Sequence, residues 1–138
     1  MILFNKPDIV KVEFDESIPC IVWRPTGFIP SEDFTNSFQA GVNFVRDNRK
    51  KQPITKWLND ARKLKGVNPA DIMWLDKNAN DPAYKPGLER IACILPEDPF
   101  ARLSIRTYIF MTRKRREIPL QIKTFETIEE ARKWLSAP

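Results

Sequence analysis

The sequence predicts an α/β domain: a mixed, mostly parallel sheet of about five strands with four helices, in the order β-β-α-β-α-β-α-β-α. Three observations carry this. Two apolar runs near the start, residues 9–14 and 18–23, are separated only by Asp15-Glu16-Ser17, the spacing of an antiparallel hairpin. Strand-like and helix-like stretches then alternate at the spacing of parallel crossovers. Residues 90–95 form a run that is apolar without alternation after Arg90, the pattern of a strand covered on both faces.

Each element has its own signal. Residues 9–14 alternate apolar and polar residues, with Ile9, Val10, Val12 and Phe14 the apolar ones, and the 18–23 run is more continuous, so the second strand of the hairpin is the more buried. Pro25, Gly27 and Pro30 mark a loop. Ser31 is the expected N-cap of the first helix, with Glu32 and Asp33 at the positive end of its dipole. Phe34, Phe38, Gly41, Val42 and Val45 follow at helical spacing. Residues 54–58 read as a strand ended by Asn59-Asp60, and residues 62–66 as a polar loop.

Asn68-Pro69 is a cap and first-turn pair for a short second helix carrying Asp71, Ile72, Met73, Trp74 and Leu75. Asn78, Asn80, Pro82, Pro86 and Gly87 interrupt any regular element between this helix and residue 90. Asp98-Pro99 opens a third helix, on which Phe100, Leu103, Thr107, Phe110 and Met111 can share one face. The β-branched and aromatic residues of 105–110 make a strand the competing assignment. Residues 120–125 alternate as the last strand. Thr127-Ile128-Glu129-Glu130 matches a capping box, with Ile128, Ala131, Trp134 and Leu135 inward on the final helix.

The 138 residues fit one domain spanning 1–138. With no histidine in the chain, Ser-His-Asp and Cys-His catalysis and His-ligated zinc drop out together. Cys20 and Cys93 lie inside apolar runs and are expected as small buried hydrophobes rather than a disulfide or metal site. The four glycines are isolated, so neither a P-loop nor a dinucleotide fingerprint can be assembled. Asp71, Asp76 and Asp81 have the spacing of solvated carboxylates rather than of a calcium loop. A non-enzymatic protein without cofactor or metal is expected. The absence of a leader-like N-terminus and of any membrane-length apolar stretch predicts a cytoplasmic protein with no membrane insertion.

The net charge of +5 is unevenly spread. Residues 46–65 hold eight basic and two acidic residues, and residues 99–123 hold seven basic and one acidic. In a parallel βα array, helix C-termini and strand N-termini share one edge. Arg46, Arg49, Lys50 and Lys51 after the first helix, and Arg113, Lys114, Arg115 and Arg116 after the third, should therefore form a basic rim there. Such a rim can attract nucleic acid, acidic headgroups or an acidic partner. Cations at helix C-termini also offset the macrodipole at about 0.3–1 kcal/mol each. We favour that structural role, since +5 is modest and no nucleic-acid motif accompanies it.

The opposite edge, where strands end, is the usual ligand edge of open α/β sheets. The segments on this edge are residues 25–30, 60–68 and 96–98 and Glu126, and the candidates for docking a partner or ligand there are Asp60, Arg62, Lys63, Asn68 and Trp74. Asp60 follows a strand as a phosphoacceptor aspartate does. The first parallel strand, however, ends in Trp23-Arg24-Pro25, without the acidic residues that would hold magnesium.

The element order, together with KWLNDARKL (56–64), DIMWL (71–75), GLERIACILP (87–96) and FETIEEARKWL (125–135), resembles the STAS-like group of bacterial domains. That group has the anti-sigma-factor-antagonist fold, distantly shared with CRAL-TRIO lipid-binding domains. More narrowly, the chain resembles small single-domain members with a W-L-x-D-x-R segment and a terminal E-A-x-x-W-L helix, over residues 9–135. In phosphoregulated antagonists of the group, a serine at the start of the second helix is phosphorylated. The matching Gly66-Val67-Asn68-Pro69 contains neither serine nor threonine. The resemblance thus implies a regulatory or protein-interaction domain without the phosphoswitch, binding a protein partner or a second copy as a homodimer. The alternatives are a small-molecule or lipid carrier with a pocket under the second helix, and a basic-rim nucleic-acid binder.

Overall fold

The computed structural model describes residues 1–79, 87–114 and 120–138. The hairpin forms as expected from β2 (Val10–Asp15) and β3 (Cys20–Pro25), with Val12 opposite Trp23. Parallel strands β5 (Lys56–Asp60), β7 (Arg90–Ile94) and β8 (Gln121–Phe125) extend the sheet from β3. A strand absent from the sequence-based expectation, β1 (Ile2–Lys6), pairs antiparallel with β2 and forms one edge. The result is a six-stranded sheet, β1-β2-β3-β5-β7-β8. β1 lacks a period-2 pattern, and its turn is made by Asp8 in the left-handed region at φ 66° rather than by glycine.

The helices divide unequally between the faces. α1 (Ser31–Asp47), α2 (Pro69–Trp74, continued by a π-helical turn Leu75–Ala79) and α3 (Pro99–Arg113) pack on one face. α4 (Ile128–Ser136) covers β5, β7 and β8 on the other. The larger core holds Trp23 and Trp57 from the sheet with Phe34, Phe38, Ile105 and Tyr108 from the helices. The smaller packs Val22, Leu58, Ala92 and Ile94 against Ala131 and Leu135. Successive side chains of a strand face opposite ways, so β7 gives Ile91 and Cys93 to one core and Ala92 and Ile94 to the other. That double burial explains its unbroken apolar run.

Several boundaries differ from expectation. β5 begins two residues later than expected and ends on Asp60 itself. Residues 62–66 are not wholly loop: β6 (Leu64–Gly66) pairs with β4 (Gly27–Phe28) in a separate parallel ribbon. Ser31 is not the N-cap of α1. Pro30 holds that position without a side-chain bond, and the Ser31 hydroxyl instead donates to Asp71 Oδ2 at 2.8 Å, tying α1 to α2. The 99–113 segment is helix, not strand. Its expected apolar face does form, but it points outward: Ala101, Ile105, Tyr108, Ile109 and Thr112 are the buried set, whereas Phe100, Leu103 and Phe110 are exposed.

Candidate functional site

The residues nominated at the ligand edge separate into two places. Asp60 ends β5 on the face of Leu58, toward α4. Trp74 packs, half-buried, against the larger core on the opposite face. The two therefore do not share one docking surface. In the second helix the exposed apolar side chain is Met73. Asn68 caps α2, its Oδ1 accepting from the Ala70 N–H at 3.0 Å. The first-turn amides of α2 are thus capped from within, and Asp60 takes its partners elsewhere.

Those partners are arginines. Arg62 Nε and Nη2 donate to the two Asp60 oxygens at 2.8 and 2.7 Å, a bidentate pair. Arg24 Nε stands 3.4 Å from Asp60 Oδ2, while its Nη1 is bonded to Glu13. Burial alone would raise the Asp60 pKa. The Arg62 hydrogen bond and charge, with Arg24 behind them, outweigh it and hold the carboxyl below the ordinary aspartate value. Asp60 is therefore an ionised anchor that fixes two guanidinium groups, with little basicity left for proton transfer. Arg24, Thr26, Arg62 and Lys63 surround it in a small pocket of about 140 Å³.

The β4–β6 ribbon adjoins this pocket, since Gly27 N–H donates to the Lys63 carbonyl at 2.8 Å. It carries Phe28, 59% exposed. Sequence reasoning places Phe28 within the candidate segment 25–30 without singling it out, and does not nominate Arg24. The only signal for them is their place in the Pro- and Gly-punctuated segment after the first parallel strand. A second feature lies between α2 and α3: an apolar groove of about 320 Å³ lined by Val67, Pro69, Ile72, Met73, Leu103 and Met111.

The basic rim is partly engaged. Arg46 bonds Asn43 Oδ1 at 2.8 Å, and Arg49, Lys50 and Lys51 lie beyond it at the surface. Arg113 Nη2 donates to the Ile122 carbonyl at 2.8 Å, and Lys114 Nζ lies 4.5 Å from the Phe110 ring centroid. Arg115 and Arg116 lie outside the described residues. Cys20 and Cys93 are fully buried thiols that form no disulfide. Burial, then the Asp15 charge, pushes the Cys20 thiol up to about 12. Among the described residues no three acidic, cysteine or histidine side chains gather as a metal site, and no helix is long and apolar enough to cross a membrane.

No protein-family model matches the chain, and no curated protein does. A solved structure does: an uncharacterised DUF3478-family protein with a SpoIIAA-like fold from Shewanella loihica PV-4. It is 17% identical, covers 91% of each chain and has a TM-score of 0.56. The fold is SpoIIAA-like. The STAS-like architecture expected from the element order thus holds. In this SpoIIAA-like chain the start of α2 is occupied by the Asn68 cap.

Proposed function

We propose that this SpoIIAA-like domain is a non-enzymatic regulatory module that works by docking another protein at the edge formed by β4, β6 and the Arg24–Asp60–Arg62 cluster. The observation that carries the reading is Phe28: a large aromatic, mostly exposed, held on a paired ribbon beside a guanidinium that Asp60 has already oriented. Aromatic and arginine side chains dominate interface hot spots, and groups fixed in advance lose less entropy on association. The absence of histidine and the doubly bonded state of Asp60 favour binding over turnover.

A photo-crosslinking side chain placed at Thr26 in the native host tests this. One defined protein adduct is expected, lost in Phe28→Ser while the melting temperature of that variant stays within a degree or so of wild type. An adduct indifferent to Phe28→Ser and to Arg62→Gln removes the edge from consideration. If the adduct is a second copy of the chain, the domain is a homodimer through this edge.

A carrier of a small apolar molecule is the second reading, favoured by the α2–α3 groove. Native mass spectrometry of the protein purified from its host should then show a bound mass that Met73→Glu abolishes.

A further inference from the structure

The network around Asp60 holds more positive charge than it neutralises. Lys11 Nζ lies 3.6 Å from Glu13 Oε1, which also takes Arg24 Nη1. Arg24 Nε and Arg62 in turn share Asp60. Each carboxylate is thus divided between two cations. Lys63 stands beside them with no partner among the described residues, so Lys11, Arg24, Arg62 and Lys63 face only Glu13 and Asp60. Glu129 adds its charge at Arg62 through space, and the balance stays positive. The donors are not exhausted either. Among the described residues, Arg62 spends Nε and Nη2 on Asp60 and keeps Nη1, while Arg24 keeps Nη2. Thr26 and Lys63 complete the polar lining of the pocket.

We propose that this pocket receives a phosphate monoester, carried by a phosphorylated side chain of the protein that docks at the Phe28 edge. Charge, donors and size select this chemistry. A positive surplus favours a phosphate group, at about −1.5 to −2, over a singly charged carboxylate. Donors on Arg24, Thr26, Arg62 and Lys63 suit its three terminal oxygens, and guanidinium groups match phosphate geometry closely. Asp60 grips Arg62 bidentately, so that donor is oriented before any ligand arrives. The pocket, at about 140 Å³, is well under the roughly 300–1,000 Å³ of sites that enclose a whole small molecule. It takes a single group, and the rest of the ligand lies outside, along the ribbon that carries Phe28. The phosphoprotein source rests on the docking reading given above, whereas the pocket's affinity for phosphate does not.

NMR titration of the full chain, following the Thr26 and Lys63 amides, tests pocket and source separately. Inorganic phosphate, which needs no partner, should bind saturably, and chloride at matched ionic strength should not. Acetate should bind roughly fivefold more weakly or worse, having one charge where phosphate has nearly two. Lys63→Gln should weaken phosphate binding about fivefold, the size of one close ion contact in water, and Arg24→Gln at least as much. If Arg24→Gln lowers the melting temperature, Lys63→Gln, at an exposed side chain, carries the test alone. Lys51→Gln, in the basic rim, should have no effect. N-Acetyl-O-phosphoserine methylamide should bind at least as tightly as phosphate. Shifts that chloride reproduces overturn the pocket, as does binding indifferent to Lys63→Gln or weakened equally by Lys51→Gln. Phosphate binding with rejection of the blocked phosphoserine overturns the phosphoprotein as its source. A crosslinked adduct indifferent to Phe28→Ser removes that source as well, while the phosphate titration is read without it.

Discussion

Asp60 shows how one buried carboxylate sets local chemistry. Its carboxyl titrates below the ordinary value of 3.8 because the Arg62 and Arg24 interactions outweigh its burial. A group more acidic in the fold than in the open chain contributes stability above its unfolded pKa, and that stability is lost as pH falls through the folded value. Asp15 behaves alike. Burial opposes its ionisation, and its bonds to Ser17 and Arg132 overcome that and bring its pKa down, tying the β2–β3 turn to α4. The melting temperature should accordingly be flat at neutral pH and decline in acid below about pH 4. Arg62→Gln leaves Asp60 buried without its bidentate partner, so its titration moves up and the decline begins at higher pH. Arg62 is about half exposed, and solvent screening limits the neutral-pH loss to about 0.5–1 kcal/mol, roughly 2–4 °C. An acid limb superimposable on that of the wild type would mean that the pair contributes nothing.

Between elements, close packing decides what a helix position tolerates. Gly41 lies where α1 meets β5, and a Cβ built there would stand 2.5 Å from Cη2 of Trp57. That ring is fully buried, stacked on Phe38 at 5.8 Å between centroids, and its N–H donates to Asn59 Oδ1 at 2.8 Å, so it has little room to yield. Alanine in place of glycine in a helix ordinarily gains about 1 kcal/mol. Overpacking a rigid core costs about 1–3 kcal/mol. Gly41→Ala should therefore be net destabilising by about 1 kcal/mol, seen as a lower midpoint in urea. A midpoint at or above wild type would show that Trp57 moves freely. The same packing explains which elements are legible in the sequence. α1 and β7 are plain because their apolar spacing matches what they bury. The outer face of α3 misleads because its exposed Phe100, Leu103 and Phe110 have the spacing of a core face, and periodicity cannot tell which of two apolar faces turns inward. β4 and β6 are too short to leave a pattern, and without them the place of Phe28 is hidden.

Across the whole molecule the sheet is graded from centre to edge. β7 is paired on both sides, feeds both cores, and reaches the last helix: Arg90 Nη1 donates to the carbonyls of Trp134 and Ala137 at 2.9 and 2.7 Å, closing the C-terminus of α4. β1 has one neighbour, an irregular register between Ile2 and Phe4, and partial burial of Leu3 and Phe4 only. Its firmest side-chain tie is Lys6 to Asp33 of α1, at 2.9 Å, with the lysine more than half exposed. Amide exchange from β7 should therefore require global unfolding, whereas β1 opens locally at a fraction of that free energy. The doubly buried centre can be inferred from residue order. The gradient cannot, because it depends on an edge strand whose sequence carries no alternation. Lys6→Gln should accelerate exchange in β1 by about fivefold or less, the effect of a pair worth at most about 1 kcal/mol, and leave β7 untouched. Equal protection of β1 and β7 in the wild type would instead mean that the six strands open as one unit, with the edge held as firmly as the centre.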